Sequence, residues 1–302
     1  MKGKKVAAVV LTYNRLALLK ECVAAIKSQT TPPDAILVID NGSEEDTGSW
    51  LRSQEGVTLI HLVQNVGPAA GIKKGLQEAY ESGYEWIWVM DDDGLPHHQA
   101  LEKLIRARPG FTGAKNSLVL DKTDRRTLAF KLLQFKTVDD IQSEYVEDEI
   151  MPWNGTLFHR SIIEKIGYPK TELFLWGEET EYYHRIKKSG LFKLFTVRDS
   201  WHFHPRNAGF FYKGGWDVKT HWRAYFFVRN KYAVYLAKYK QNRIYAGLYY
   251  LFFTASMVYF ILFHPHKQKI KKIDLTLLAM KDGIRKDYKK SSAEVVEILQ
   301  KL

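Results

Sequence analysis

The first ninety residues alternate between apolar blocks and mixed ones. Val6–Thr12 is an unbroken apolar run closed by a threonine, the pattern of a strand buried on both faces. Over residues 15–28 the apolar positions thin to Leu16, Leu19, Val23 and Ile26, the spacing of a helix with one buried stripe. Pro32-Pro33 closes that segment. Residues 35–39 form a second apolar run, which ends in the turn-forming sequence Asp40-Asn41-Gly42-Ser43. A helix is expected over 44–52 and a third strand over 57–62. A helix with Ala70, Leu76 and Ala79 inward follows over 67–81, then a fourth strand over 86–90, rich in tryptophan and β-branched residues. Strands alternating with helices predict βαβ units, hence a mostly parallel central sheet flanked by helices with right-handed crossovers.

The pattern is irregular over 110–151. Residues 152–158 then read as a turn into a strand, and Ser161–Ile166 as a short helix capped by its serine. Trp176-Gly177-Glu178-Glu179-Thr180-Glu181-Tyr182 opens a helix running to about 188, where Glu181 would pair with Arg185 four residues on. A strand is expected over 193–197, followed by Trp201-His202-Phe203-His204-Pro205. From 216 onward the chain reads as amphipathic helix. The boundary falls within 206–215, giving an α/β domain over 1–210 and a basic, aromatic helical extension over 211–302.

Composition narrows the picture. With 302 residues, 45% hydrophobic and 26% charged, the chain is long enough for one large α/β domain and an appendage, and is not a disordered protein. The single cysteine, Cys22, excludes an intramolecular disulfide and a cysteine-rich zinc site, and is expected on the buried face of the first helix. The basic start reads as the lead into a strand, with no secretory signal. A net charge of +11 calls for an anionic partner. Lysine and arginine crowd the last third: Lys238, Lys240 and Arg243 precede the uncharged stretch 244–263, and Lys267, Lys269, Lys271 and Lys272 follow it. That stretch is long enough to span a bilayer, but basic flanks on both sides give no preferred orientation. A helix lying on an acidic membrane surface accounts for both flanks; a helix buried in a small bundle is the alternative.

Polar residues recur where each predicted strand ends: Thr12 and Asn14, then Asp40, then Asn65 and Gly67, then Asp91-Asp92-Asp93. In parallel α/β sheets ligands collect beyond those carboxyl ends, so four polar ends in succession describe a binding cleft. Three adjacent carboxylates repel one another, and a divalent cation relieves the repulsion. Asp91 and Asp93 point to one side of an extended chain, and oxygen ligands suit Mg²⁺ or Mn²⁺. The other reading is a polar cap on a strand, with Asp93-Gly94 as its turn. The sequence Gly67-Pro68-Ala69-Ala70-Gly71 either offers backbone N–H groups to phosphate or is an ordinary helix start. Neither the G-x-G-x-x-G nor the G-x-x-x-x-G-K-[ST] pattern occurs, which argues against a dinucleotide oxidoreductase and a P-loop NTPase.

Taken together, Leu-Thr-Tyr-Asn-Arg at 11–15, Val-Ile-Asp-Asn-Gly-Ser at 38–43, Asn-Val-Gly-Pro-Ala-Ala-Gly at 65–71 and the aspartates at 91–93 resemble the family 2 glycosyltransferases over roughly residues 5–205. Trp-Gly-Glu-Glu-Thr-Glu-Tyr at 176–182, Trp201-His202 and the segment 225–230 are most similar to the galactofuranosyl- and rhamnosyl-transferring branch. The resemblance implies a GT-A fold and an inverting transfer of sugar from a nucleotide-diphosphate donor, UDP-galactofuranose first and dTDP-rhamnose second. The acceptor would be a glycan or a lipid-linked glycan in cell-surface polysaccharide synthesis. It further implies that Thr12, Asn14, Arg15, Asp40, Asn65, Gly67 and Asp92 line the nucleotide-sugar pocket. Asp91, Asp93 and His202 would hold Mn²⁺ or Mg²⁺. Glu179, with Glu178 as its neighbour, would supply the general base. The family commonly carries aspartate at this point, so the longer glutamate and the inserted Gly177 are departures. Trp153, Trp176 and His204 would lie toward the acceptor, with His204 a second candidate metal ligand and the tryptophans equally suited to a core. The enzyme would be cytoplasmic and peripheral on the inner face of the plasma membrane, with no nucleic-acid partner.

Two other functions share some of these features. A sugar nucleotidyltransferase would need a glycine-rich basic loop after the first strand, where this chain has Tyr13-Asn14-Arg15. A non-enzymatic basic scaffold for membrane or nucleic acid would explain the C-terminal lysines but not carboxylates at successive strand ends.

Overall fold

The computed structural model describes residues 5–206, 221–264 and 267–301. The chain divides into two compact units, Met1–Pro169 with Ser189–Asn207, and Lys170–Lys188 with Ala208–Leu302. The sequence boundary over 206–215 lies, from 207 on, outside the described residues, as does the expected start of helix over 216–220. The segment Lys170–Lys188, ahead of that boundary in sequence, groups with the C-terminal helices.

In the first unit β1 (Val6–Thr12), α1 (Leu16–Lys27), β2 (Ala35–Asp40), α2 (Glu45–Arg52), β3 (Val57–His61), α3 (Pro68–Glu81) and β4 (Trp86–Asp91) alternate as the hydrophobic pattern predicts. The short β5 (Leu95–Pro96) and α4 (Ala100–Arg106) follow. Then come β6 (Ala114–Asp121), β7 (Thr127–Leu132), β8 (Phe135–Thr137), β9 (Tyr145–Glu147), β10 (Asn154–His159), α5 (Ser161–Ile166) and β11 (Leu194–His204). Among the described residues the sheet runs β3-β2-β1-β4-β10-β6-β11-β5. The first four strands are parallel, β10 is antiparallel to both β4 and β6, and β6 and β11 are again parallel.

Alternate residues of β1 face opposite layers. Val6, Ala8 and Val10 pack with Leu19, Cys22, Val23 and Ile26 of α1 and with Leu101 and Leu104 of α4. On the other face α3 comes close enough that a methyl group on Gly71 would fall 2.4 Å from Leu11 Cδ1, and one on Gly75 2.4 Å from Val9 Cγ1. Larger residues there would push the helix off the sheet.

Three details depart from the sequence pattern. The irregular stretch over 110–151 contains β6, a fully buried strand inside the sheet between β10 and β11. Its polar residues are satisfied internally: Lys115 Nζ donates to the carbonyls of Leu104 (3.0 Å) and Ala107 (2.6 Å), Asn116 Nδ2 to those of Ser117 and Asn154, and Ser117 Oγ pairs with Ser200 Oγ at 2.8 Å. The strand expected over 193–197 continues to His204, because a register shift between Val197 and Trp201 keeps it paired with β6. Ser161 is the first helical residue of α5 rather than its cap; β10 runs to His159, so Arg160 takes the cap position and Ser161 Oγ bonds His159 Nδ1 at 2.7 Å.

The second unit contains α6 (Glu178–Ser189), α7 (His221–Lys238), α8 (Arg243–Phe263), α9 (Lys269–Arg285) and α10 (Ser292–Lys301). Tyr225, Phe226 and Leu236 of α7, Tyr250, Phe253 and Met257 of α8, Leu275 and Ala279 of α9 and Val295 of α10 share one apolar core. The uncharged stretch is α8, and only one of its faces enters that core. By length and composition α8 is the one helix among the described residues that could cross a membrane.

Candidate active site

The parallel register of β1, β2 and β4 aligns Thr12 with Asp40 and Leu11 with Asp91, so the carboxyl ends of three neighbouring strands finish at one level. Thr12 is buried and its Oγ1 donates to Asp92 Oδ2 at 2.7 Å, fastening the loop after β4 to the end of β1. Arg15, at the start of α1, bridges two of the aspartates: Nη1 lies 3.1 Å from Asp92 Oδ1 and 2.9 Å from Asp93 Oδ2. Burial lifts the Asp92 carboxyl to about 6, against the opposing pull of Thr12 and Arg15. Burial also acts on Asp93, but His204 and Arg15 outweigh it and hold that carboxyl below its ordinary range.

His204, at the end of β11, brings Nε2 to 3.2 Å from Asp93 Oδ1, while its Nδ1 lies 2.7 Å from the Pro205 carbonyl. Burial lowers the proton affinity of His204, but Asp93 more than restores it, so the imidazole is held above its ordinary value. His202 is wholly buried, and neither ring nitrogen meets a hydrogen-bond partner among the described residues. Burial pushes it down to about 3, so the ring is neutral. It lies in a slot between two glycines: a methyl group at Gly94 would fall 2.2 Å from Nε2 and one at Gly155 2.9 Å from Nδ1. A buried imidazole without partners costs on the order of 1–3 kcal/mol.

Among the described residues no three His, Cys, Asp or Glu side chains converge on one point. The donor types nevertheless fit a hard divalent ion: carboxylates from the end of β4, and next to them imidazoles at two alternate positions on β11, one neutral and unpartnered.

Asp40 is fully buried; Oδ1 accepts from the Ser43 N–H at 2.9 Å and Oδ2 lies 2.9 Å from His61 Nδ1. Asn14 sits in the left-handed region with φ 53, its N–H donating to Ser43 Oγ and its Oδ1 accepting from the Glu44 N–H. Asn65 Oδ1 accepts from Asn41 Nδ2 and from the Gly67 N–H at the start of α3. Thr12, Asn14, Arg15, Asp40 and Asp92 thus line one rim, with Asn65 and Gly67 on the next loop. His61 joins the site because β3 sets it directly across from Asp40 on β2, a pairing that no local sequence signal shows. Trp153 is buried in the first unit against Phe158, and its carbonyl accepts from the Asp91 N–H at 3.1 Å.

In the second unit Glu178 is buried at the head of α6 and Glu179 beside it is partly exposed. Trp176 meets Phe227 edge to face. Glu181 is fully buried between Lys170 (3.0 Å) and Arg185 (3.2 Å), the latter the partner its spacing predicts. The turn leading into α6 holds Phe174 (φ 63), Trp176 (φ 58) and Gly177 (φ 107) in the left-handed half of conformational space. Two buried residues of α7 grip it. Asn230 Nδ2 reaches the carbonyls of Leu173, Leu175 and Trp176 at 2.8–2.9 Å, and Arg229 Nη2 that of Leu173 at 3.0 Å.

The model of the family described as Glycosyl transferase family 2 matches residues 7–167. Galactofuranosyltransferase GlfT1 of Mycolicibacterium smegmatis is 31% identical over 200 residues, covering 62% of this chain and 66% of that protein. GlfT1 of Mycobacterium tuberculosis H37Rv is 30% identical over 216 residues, 67% of this chain and 70% of that protein. The GalNAc(5)-diNAcBac-PP-undecaprenol beta-1,3-glucosyltransferase of Campylobacter jejuni is 24% identical over 202 residues, 64% of each. The chain therefore matches about two thirds of the length of these relatives. Among solved structures, Staphylococcus aureus TarS 1–349 is similar with a TM-score of 0.58 at 14% identity, covering 94% of this chain and 82% of that one. GalNAc-T7 with UDP, GalNAc and Mn²⁺ has a TM-score of 0.55 at 15% identity, covering 77% and 52%. These two likenesses support the GT-A fold. Strand-end carboxylates on a GT-A sheet, the family match and the identity to GlfT1 lead to one conclusion: the chain belongs to glycosyltransferase family 2, in its galactofuranosyltransferase-like branch.

Proposed function

We propose that the chain transfers a sugar from a nucleotide-diphosphate donor, UDP-galactofuranose before dTDP-rhamnose, to a hydroxyl of a glycan carried on a lipid. The reaction would take place at the cytoplasmic face of the plasma membrane, with inversion at the anomeric carbon. The observation that carries this reading is the Thr12–Asp92–Arg15–Asp93–His204 chain of contacts across the ends of β1, β4 and β11. Names of relatives support the donor (galactofuranosyltransferase) and the lipid-borne acceptor (undecaprenol).

Asp91 and Asp93, with His202 or His204, would hold Mn²⁺ or Mg²⁺, which when bound would offset the charge building on the departing diphosphate. Thr12, Asn14 and Asp40 would orient the nucleoside, and Arg15 is the cation nearest the aspartates for a phosphate. Glu179 would take the acceptor's proton as the hydroxyl attacks, with Glu178 next in line. Trp153, Trp176 and His204 remain the proposed acceptor-side residues.

Thermal unfolding with UDP, with and without Mn²⁺, tests the first half: nucleotide should stabilise the chain more when the metal is present. No shift with any nucleotide would defeat the reading. Glu179→Gln should retain nucleotide binding and lose transfer by roughly 10²–10⁴-fold; normal transfer would move the base to Glu178.

A further inference from the structure

One face of α8 is committed to the second unit's core. Ala246, Tyr250, Phe253, Met257 and Ile261 are buried, and Tyr250 Oη donates to the Val228 carbonyl at 2.9 Å. The opposite face is bare. Ile244, Leu248, Leu251, Phe252, Tyr259 and Phe263 recur at helical spacing along its whole length, with Ile244 75%, Phe252 72% and Phe263 70% exposed. No charged residue interrupts it after Arg243. So long an apolar strip on a soluble surface marks an interaction site.

The ends identify the occupant. Lys238, Lys240 and Arg243 are exposed before the strip, and Lys267, Lys269 and Lys271 follow it. Tyrosines gather at the first end, where Tyr239 stacks on Tyr249 at 4.7 Å and Lys238 lies over both rings. A helix with an apolar face, basic residues at both ends and tyrosines at its margin matches the plane of an anionic bilayer. A second copy of the chain fits poorly, since pairing α8 with itself in either direction sets basic ends against basic ends. Crossing the membrane would strip the buried face from its core and break the Tyr250 bond.

We propose that α8 lies flat in the headgroup region of an anionic membrane, its bare face inserted and its two basic ends on acidic lipids. This deepens the membrane part of the reading above and is tested without donor or acceptor, so its failure would leave the transfer chemistry standing. The full chain is sedimented with phosphatidylcholine vesicles and with vesicles that also contain phosphatidylglycerol. It should bind the second kind far better, and added salt should weaken binding. Leu248→Asp with Phe252→Asp, both exposed positions, should keep the thermal midpoint and lower partitioning by about tenfold or more. Glu in place of Lys238, Lys240 and Arg243 should abolish the preference for anionic vesicles. A chain that stays in the supernatant, or a Leu248/Phe252 variant that binds like the parent, overturns the proposal. So does a dimer in light scattering that the Phe252 change converts to monomer, because a second copy would then cover the face.

Discussion

Arg15 is a monodentate bridge between two carboxylates at the mouth of the sheet, and its own side chain is half exposed. A cation in that place both neutralises the aspartates and competes with any metal for them. Arg15→Gln is therefore expected to leave Mn²⁺ binding in the absence of nucleotide at least as tight, while raising the donor KM about tenfold; calorimetry and steady-state kinetics would read the two effects separately. Lys115 is a different kind of residue. Its ammonium is buried under α4 and serves the carbonyls that end that helix. Lys115→Met should cost roughly 2–3 kcal/mol in urea unfolding, since the carbonyls lose a charged donor and gain nothing. The strand ends that carry Thr12, Asp40 and Asp91–Asp93 were legible because each follows a continuous apolar run. The partners were not. His61, the Arg15 bridge and the Asp93–His204 approach depend on which strands lie side by side, and β11 reaches the site through its pairing with β6 and β5.

At the scale of elements the same contrast holds. β1 to β4 and α1 to α3 could be placed within a residue or two because β1, β2 and β4 are apolar on both faces, β3 is a short run rich in β-branched residues, and each helix has a single stripe. β6 was hidden by Lys115, Asn116 and Ser117, which look like a loop and are in fact satisfied inside the sheet. The turn into α6 was recognised by its motif, but nothing local shows that α7 holds it. Left-handed φ at Phe174 and Trp176 costs on the order of 1–3 kcal/mol each, and the buried Arg229–Asn230 pair restrains it. Asn230→Asp removes the donors without changing the size of the side chain. If this turn sets the position of Glu179, kcat should fall about tenfold with donor KM unchanged. A drop in thermal midpoint with kcat intact would show that the grip serves stability alone.

For the whole molecule, the path of the chain matters more than the count of units. The first unit is interrupted: the chain leaves at Lys170, contributes the α6 segment to the second unit, and returns near Ser189 to add β11 beside β6. A fragment ending at residue 206 would keep 170–188 but lose the α7 side chains that bond its carbonyls. That fragment should be cleaved within 170–188 by trypsin or thermolysin much faster than the intact chain, with mass spectrometry locating the cuts. The same interleaving sets a rule for exchanging parts between relatives. A chimera joined at a single crossover after β11 would pair a foreign α7 with a native α6 turn. The turn-and-helix insert and the C-terminal helices are therefore exchanged together, as one structural unit that the gene encodes in two separate stretches.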